Sequence, residues 1–354
     1  MAHPPEPVPG VPVRAHSPGR VNLIGDHTDY NEGVALPMAV DLGTTVTFVP
    51  DGGDRVVLWS ADEPEPADVD VHVPFDPALL RAVEPRWARY VAAVVAAVHP
   101  ASGGRGRVAT TLPIGAGLSS SAALEVATAL ALGLEAEPVT VARLCQRAEQ
   151  AATGVPAGLM DQLVVSAARP GHALLIDFAD LSTEHVAIPA GVEVVVVHSG
   201  ETRTLDRSAY AARRAECEAA ARRLGPLGRL GPTEAAGIPD PVLRRRARHV
   251  ASECERVRSV VGALRTGDLA EAGRLMTASH HSLAHDFDVS TPALDALVAW
   301  LGAQPGVFGA RLTGAGFGGC VVALTEPGAV DVGALPTPAW RVRATGGANV
   351  VSGL

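Results

Sequence analysis

Apolar and polar residues follow two periods along this chain, and the two periods predict a mixture of strands and helices. Short runs rich in valine, threonine and leucine are typical of strands, whereas apolar residues three to four positions apart are typical of helices. Strands are predicted at 34–49, 56–60, 69–73, 108–112, 173–177, 192–197, 307–312, 320–324 and 341–344. Helices are predicted at 87–98, 122–134, 140–152, 203–223, 241–265, 267–284 and 291–303.

Breaks in this pattern divide the chain. Residues 1–12 contain five prolines and are expected to form a flexible arm. The break at 187–191 separates a first domain, 13–188, from a second domain, 189–354. Two domains suit a chain of 354 residues.

Local signals predict where one helix begins and ends, and which charged residues face water. Thr140 is the predicted N-cap of its helix, and Gly154 the residue that ends it. Exposed helix faces are expected to carry Arg244, Arg245 and Arg246, and further along Glu253, Arg256 and Arg258.

A glycine- and serine-rich stretch leads into the helix predicted at 122–134. Glycine lets the backbone turn tightly and approach a ligand, and serine at a helix start can accept a backbone N–H. The remaining N–H groups point outward at the positive end of the helix dipole, which suits phosphate. A capped loop without a ligand is the alternative, since such an entry needs only turn chemistry. The candidate nucleotide-binding residues are Pro113, Gly115, Ala116, Gly117, Leu118, Ser119, Ser120 and Ser121.

Two familiar phosphate-binding motifs do not fit this stretch. A P-loop needs a lysine after its last glycine, and all 29 basic side chains counted as Lys+Arg are arginine. A dinucleotide fingerprint needs an acidic residue at the end of a second strand, and Glu135 and Glu137 are not so placed. Phosphate binding here therefore relies on backbone amides, hydroxyls, a metal and arginine.

A dense polar segment surrounds the short apolar run 21–24. Arg20, Asp26, His27 and Asp29 can each carry charge or handle protons. A sugar that leaves water needs a partner for each hydroxyl, so this density favours hydroxyl recognition. A solvated surface loop is the alternative.

A single carboxylate, Asp161, lies among the apolar residues Leu159, Met160, Leu163 and Val164. Burying a carboxylate is costly unless it is paired or functional. The alternative is an N-terminal helix cap.

Composition narrows the class of protein. The chain is 47% hydrophobic, 19% charged and only 4% aromatic, which indicates a folded protein whose cores rely on alanine, valine and leucine. The net charge of −9 argues against a nucleic-acid partner. The four scattered cysteines suggest free thiols in a reducing compartment. With neither a signal peptide nor a membrane-span pattern, a cytoplasmic protein without membrane partners is expected, and a monomer is favoured.

Three segments together resemble the galactokinases of the GHMP kinase superfamily. The run 19–30 resembles their signature Gly-Arg-Val-Asn-Leu-Ile-Gly-Glu-His-Thr-Asp-Tyr, while 113–123 and 312–320 resemble the superfamily's nucleotide and third motifs. The resemblance implies an α+β fold. It implies an N-terminal domain like the second domain of ribosomal protein S5, a ferredoxin-like C-terminal domain, and an active site in the cleft between them.

The resemblance also implies that the chain uses ATP and Mg²⁺ to phosphorylate the anomeric hydroxyl of galactose or a similar sugar. It assigns catalysis to Asp161, which takes the hydroxyl proton, and to Arg20, which keeps that carboxylate ionised. It assigns the sugar to Asp26, His27, Asp29, the backbone at Gly158 and, more loosely, Tyr210. It implies that Ser121 and Glu149 bind Mg²⁺, and that Gly314 and Gly316 also contact the nucleotide.

One departure concerns the sugar. Asp26 stands where the family signature has glutamate, so its carboxylate is withdrawn by about 1.5 Å, one C–C bond. That gap is expected to admit a water, or a sugar modified at C6 or C2.

Two further functions are alternatives. A catalytically silent sugar and ATP sensor of the same fold should have lost the motif residues, which are present. A mevalonate or homoserine kinase should lack the His-Thr-Asp-Tyr run.

Overall fold

The protein is described by a computed structural model that covers residues 10–113, 115–201 and 207–351, with the backbone alone at Arg207 and Ser208. Residues 1–9 of the expected arm and the beginning of the helix predicted at 203–223 lie outside the described residues. None of the described helices is both long and apolar enough to cross a membrane.

The first half of the chain forms eight strands and five helices among the described residues. The strands are β1 Val13–Asn22, β2 Val34–Ala35, β3 Pro37–Pro50, β4 Arg55–Ser60, β5 Ala67–Asp70, β6 Gly104–Thr110, β7 His172–Asp177 and β8 Thr183–Ala187. The helices are α1 Pro77–Ala82, α2 Ala88–Val98, α3 Ser120–Ala131, α4 Pro138–Thr153 and α5 Met160–Ala167.

The described residues of the second half add five strands and four α-helices. The strands are β9 Glu193–His198, β10 Val307–Thr313, β11 Cys320–Thr325, β12 Ala339–Val342 and β13 Asn349–Val350. The helices are α6 Arg207–Leu224, α7 Pro241–Thr266, α8 Leu269–Ser282 and α9 Pro292–Gly302, with a π-helical turn Leu283–Phe287 after α8.

Three sheets organise these elements. The first has the order β13-β1-β3-β6-β4-β5 and is antiparallel except between β4 and β6. The second is antiparallel, in the order β10-β11-β9-β12, and the third has the order β2-β7-β8. The predicted α+β class is therefore confirmed, and the predicted central strands at 173–177 and 192–197 do lie inside their sheets.

Three hydrophobic clusters fill the molecule. One lies between the first sheet and helices α2 to α5, and another packs α6, α7 and α9 against the second sheet. The third joins residues from β1 and β3 to residues of α7, α8 and β11, so it belongs to both halves. Apolar packing therefore forms part of the contact between the two halves.

The last strand of the chain joins the sheet of the first half. Residues of β13 pair with β1, and Ala344 forms a bridge to Val40. The division into 13–188 and 189–354 stays a prediction, and the last described residues return to the first sheet.

Several predicted boundaries differ from the structure. The N-cap of α4 is Glu137 rather than Thr140, and Pro138 occupies the first turn, where its fixed φ and missing N–H are tolerated. Gly154 does end this helix in the left-handed conformation. Strand β6 begins at Gly104 rather than at residue 108, and its backbone pairs with β3 along its whole length. The predicted strand began too late because glycine-rich sequence carries a weak strand signal.

The expected exposure of two charged groups was wrong. Glu253 is fully buried, and Arg246, within the arginine run, is only 2% exposed. Arg246 donates to Glu216 over 2.6 Å and to the Asp286 carbonyl over 2.6 Å. Both residues have partners on other elements, which a helical period cannot reveal. Arg258 is exposed as predicted.

Candidate active site

A cavity of about 450 Å³ lies where the two halves meet. Its wall includes the end of β1, the segment after it, the loop before α3, the end of α4, the loop before α5, and residues of α6 and the loop after β10. The predicted residues that line it are Arg20, Asp26, His27, Asp29, Gly115, Gly117, Ser119, Ser120, Ser121, Glu149, Gly158, Asp161, Tyr210 and Gly314. Segments far apart in the sequence are thus brought together in one site.

Arg20 and Asp161 form a two-pronged ion pair in this cavity. Arg20 Nε donates to Asp161 Oδ1 over 2.8 Å, and Nη2 donates to Oδ2 over 2.7 Å. The arginine side chain is 6% exposed and the aspartate 28%. Such a fork fixes the orientation of the carboxylate as well as its charge. The carboxylate is therefore held in one orientation and stays open to the cavity.

The loop before α3 is attached to this pair. Arg20 Nη1 donates to the Gly117 carbonyl over 2.5 Å, and the Arg20 backbone N–H donates to the Leu118 carbonyl over 3.1 Å. Ser119 Oγ donates to the second oxygen of Asp161. The loop that is predicted to hold phosphate is therefore held in place by the Arg20–Asp161 pair.

The predicted role of serine as a helix cap was wrong for this loop. Ser119 is the N-cap residue of α3, yet it makes no side-chain capping bond, because its hydroxyl is directed to Asp161. The N–H groups of the first turn of α3 are thus left for an anion at the positive end of the helix.

Ser121 and Glu149, the two residues predicted to hold Mg²⁺, meet beside the loop. Ser121 Oγ donates to Glu149 Oε1 over 2.8 Å, and Gln162 Nε2 donates to Glu149 Oε2 over 2.7 Å. Burial, and then the neighbouring Asp161, raises the pKa of Glu149. A nearby cation would offset this cost.

This donor set fits Mg²⁺. The ion prefers oxygen ligands and commonly takes only one or two from protein, with phosphates and waters as the others. Among the described residues, no group of three or more His, Cys, Asp or Glu could hold a metal by itself. A site on Ser121 and Glu149 would therefore need phosphate oxygens to complete it.

Glu125, which the sequence analysis did not single out, lies behind Glu149. It is fully buried and accepts from Gln162 Nε2 over 3.1 Å. Burial, with Glu149 nearby, raises its pKa well above the usual range and favours the protonated form.

Asp29 lines the cavity beside Gly158. Burial and the neighbouring Asp161 raise the pKa of the Asp29 carboxyl from 3.8 to about 6. A side chain at position 158 would collide with this carboxylate. Gly158 therefore acts here by leaving space.

Aromatic rings close one side of the cavity. The His27 and Phe287 ring centroids are 4.4 Å apart, and those of His27 and Tyr210 are 6.0 Å apart. His27 Nδ1 lies 2.9 Å from the hydroxyl of Tyr30. His27 has φ of 64°, a left-handed conformation that non-glycine residues adopt only occasionally. Tyr30 also lines the cavity, although the sequence analysis passed over it.

Asp26 is held on both of its oxygens. Oδ2 accepts from Arg311 Nη2 over 2.5 Å, and Oδ1 accepts from the Gly314 backbone N–H over 2.9 Å. The residue is only 2% exposed. Nothing in these contacts favours the predicted tolerance of a sugar modified at C6 or C2.

Four predicted residues do not line the cavity: Pro113, Ala116, Leu118 and Gly316. Ala116 and Leu118 are buried among apolar residues. Gly316 has φ of 80°, and a Cβ there would lie 2.4 Å from the Val289 carbonyl oxygen, so its role is close packing of the loop. Gly314 joins the cavity through its bond to Asp26, and a nucleotide contact for either glycine stays a prediction.

A second cavity of about 380 Å³ adjoins the first, and the sequence analysis missed it. The two share Tyr90, Ser120, Ser121 and Thr153. Trp87 and Ser60 line only the second. Aromatic residues are rare in this chain, and the two that occur close together at Trp87 and Tyr90 were the available signal.

Family comparisons match three parts of the chain. The galactokinase galactose-binding signature matches residues 8–50, the GHMP kinases N terminal domain 88–168, and the GHMP kinases C terminal model 260–333. Galactokinase of Bos taurus is 43% identical over 327 residues, which cover 88% of this chain and 83% of the relative. Galactokinase of Roseiflexus sp. is 43% identical over 342 residues, covering 91% and 85%.

Solved structures agree with this. Lactococcus lactis galactokinase complexed with galactose superposes with a TM-score of 0.88 and 29% identity, covering 96% of this chain and 95% of that one. Mevalonate kinase of Methanococcus jannaschii, at TM-score 0.69 and 19% identity, shares the fold. With its signature segments, its fold and these relatives in agreement, the chain belongs to the galactokinase family of the GHMP kinase superfamily.

Proposed function

We propose that the protein transfers the γ-phosphoryl group of ATP to the anomeric hydroxyl of galactose and releases galactose 1-phosphate and ADP. The observation that carries this proposal is the Arg20–Asp161 pair, which lines the cavity beside the predicted phosphate loop. The galactose-complexed neighbour and the galactokinase relatives support the choice of sugar.

Asp161 is the proposed base. Its carboxylate takes the proton of the C1 hydroxyl as that oxygen attacks the γ-phosphorus, and the bond from the γ-phosphorus to the bridging oxygen breaks. Arg20 holds Asp161 in this orientation, and its positive charge would stabilise the negative charge that develops on the sugar oxygen. Ser119 fixes the second oxygen of Asp161. Positioning of this kind supplies most of the rate in phosphoryl transfer.

The two cavities suggest where each substrate binds. Galactose would lie in the first cavity among Asp26, His27, Asp29 and Tyr210, whose polar atoms can pair its hydroxyls. The nucleoside of ATP would lie in the second cavity beside Trp87 and Tyr90, since aromatic faces suit a planar base. The phosphates would then lie at Ser120 and Ser121, which both cavities share.

Ser121 and Glu149 are the residues that would hold Mg²⁺. When bound there, the ion would neutralise phosphate charge and orient the transferring group.

Three features stay predictions from sequence alone: a cytoplasmic location, a monomeric state, and the lack of nucleic-acid or membrane partners.

The test is a coupled ADP-release assay of the purified protein against a panel of monosaccharides, with the product identified by phosphorus and proton NMR. Galactose-dependent ADP release with phosphate on C1 is expected. Release that does not depend on any sugar, or phosphate on another carbon, would contradict the proposal. A signal in a mock preparation, purified in the same way from cells that do not express this protein, would reveal a contaminating kinase.

A further inference from the structure

Asp26 reaches the cavity wall with both carboxylate oxygens already bonded to protein. Oδ2 accepts from Arg311 and Oδ1 from the Gly314 N–H. A carboxylate offers about four lone-pair sites, so these two bonds leave acceptor capacity for sugar hydroxyls. The direction in which that capacity points is decided by Arg311 and Gly314.

Arg311 is itself held on all three of its nitrogens. Nε donates to Ser279 Oγ over 3.1 Å, and Nη1 contacts the backbone carbonyls of Asn22 and Leu23 over 3.3 and 3.2 Å. The side chain is 0% exposed. A planar guanidinium bonded at every corner has one orientation, and the group cannot turn away from Asp26 without losing several buried bonds.

A second carboxylate, Glu253, completes the charge balance. Its Oε1 accepts from Ser279 Oγ over 2.6 Å and from the Gly25 N–H over 3.0 Å, and Oε2 accepts from Arg256 over 2.8 Å. Burial alone would raise the pKa of Glu253, but Arg256 and the other positive neighbours outweigh it and lower that pKa to about 2. Arg311 thus faces Asp26, and Arg256 faces Glu253, so each buried carboxylate has a positively charged partner.

This network spans both halves of the molecule. Arg311 belongs to β10, and Glu253 and Ser279 to α7 and α8, whereas Asn22, Leu23 and Gly25 end β1 and lead into Asp26. Neither Arg311 nor Ser279 lines the cavity. Their influence on a sugar must therefore pass through Asp26 and the backbone that carries it.

We propose that Arg311 is a positioning residue for sugar binding, which fixes the Asp26 carboxylate at the wall of the cavity without touching the substrate. The inference rests on the proposed function, because it takes Asp26 to accept a hydroxyl of galactose. The proposed nucleoside position beside Trp87 and Tyr90 shares no residue with this network, so ATP binding should depend on Arg311 much less than sugar binding does.

The experiment compares Arg311→Lys and Ser279→Ala with the wild type in steady-state kinetics and thermal unfolding. Arg311→Lys keeps the charge but loses the fork, and it should raise the KM for galactose at least about tenfold, the weight of a buried hydrogen bond to a charged group. The KM for ATP should stay within about twofold. Ser279→Ala should raise the galactose KM by a smaller factor, about three- to tenfold.

Arg246→Lys is the matched control. Arg246 is another buried arginine of the second half, bonded to Glu216 and to the Asp286 carbonyl. It should lower the Tm, while the KM for galactose stays within about twofold of the wild type. A rise in galactose KM equal to that of Arg311→Lys would reduce the effect to general loosening and overturn the proposal.

A double-variant cycle tests the route of the effect. Galactose affinity is measured by calorimetry with a non-hydrolysable ATP analogue in wild type, Ser279→Ala, Asp26→Asn and the combined variant. If Arg311 acts through Asp26, Ser279→Ala should change affinity less than about twofold in the Asp26→Asn background. An undiminished effect in that background would overturn the proposal.

The outcomes separate the two hypotheses. If the wild type shows no galactose-dependent ADP release, the proposed function is wrong and this inference falls with it. If the wild type is active and neither variant changes the galactose KM, only the role of Arg311 is wrong. Should Arg311→Lys fail to fold, Ser279→Ala and the cycle decide the question.

Discussion

The carboxylate of Asp29 occupies the space that any side chain at Gly158 would need: a Cβ built at position 158 would lie 1.5 Å from Asp29 Oδ2. Atoms cannot approach so closely, so the two residues must be considered as one unit. Asp29 and Gly158 are 129 positions apart in the sequence, and the lack of a side chain at Gly158 leaves room for the Asp29 carboxylate in the cavity.

Gly158→Ala should therefore displace Asp29 and weaken sugar binding. A shift of about 1 Å at a positioning residue can cost up to about 10²-fold, and we expect the galactose KM to rise between about 10-fold and 10²-fold. The measurement is steady-state kinetics with both substrates varied. Gly262→Ala on α7 is the control, because nothing lies within 4 Å of a Cβ there. It should leave the KM unchanged and stabilise the fold by about 0.5–1 kcal/mol. Equal KM values in the two variants would contradict the steric explanation.

Asp161→Asn and Asp161→Ala should abolish most turnover while ATP still binds. General-base assistance is worth about 10²–10⁴-fold, and the Arg20 fork loses its charged partner. The measurements are kcat and ATP affinity. Asp177→Asn is the control, since Asp177 also accepts both prongs of an arginine, Arg229, but outside the cavity. If Asp161→Ala keeps more than about a tenth of the wild-type kcat, Asp161 is not the base.

Ser121→Ala and Glu149→Gln should raise the Mg²⁺ concentration required for half-maximal activity. Each removes an oxygen ligand, or its charge, from a hard cation. Mg²⁺ is titrated at fixed ATP. Glu125→Gln is the control, because Glu125 shares the Gln162 amide with Glu149 but makes no bond to Ser121. An unshifted requirement in both test variants would mean that the metal is held elsewhere.

Asp29→Asn should make the apo protein more stable at neutral pH than the wild type. In the folded state Asp29 keeps its proton up to about pH 6, whereas its usual pKa is 3.8. The folded state thus binds more protons between these values, and wild-type stability falls as pH rises through that window. The loss is at most about 3 kcal/mol above pH 6, and asparagine does not incur it.

The measurement is chemical unfolding of both proteins from pH 4.5 to 7.5 without substrates. The difference in unfolding free energy, variant minus wild type, should grow with pH. A difference that is independent of pH would show that Asp29 titrates normally. The variant should also lose affinity for galactose, as expected of a functional carboxylate kept at a cost in stability.

The sequence by itself determined the elements with strong periods and the segments whose chemistry is contiguous. Local patterns of apolar residues predict the helices at 88–98 and 241–266 and the strands β9 and β11. Each pattern lies within the segment itself and needs no knowledge of distant residues. The run from Arg20 to Asp29 and the serine loop were likewise recognisable, because a turn, a helix start and a dense polar segment are local features.

Only the tertiary structure decided the partners of the buried charges. Arg20 meets Asp161 across 141 positions and Arg311 meets Asp26 across 285, and no periodicity encodes such pairs. Glu253 shows the reason most plainly. On a helix its charge predicts exposure, but α7 packs against α8 and the end of β1, where Ser279 and the Gly25 N–H satisfy the carboxylate. Burial of a charge becomes favourable only once its partners are in place, and the register of the sheets and the packing of the two halves put them there.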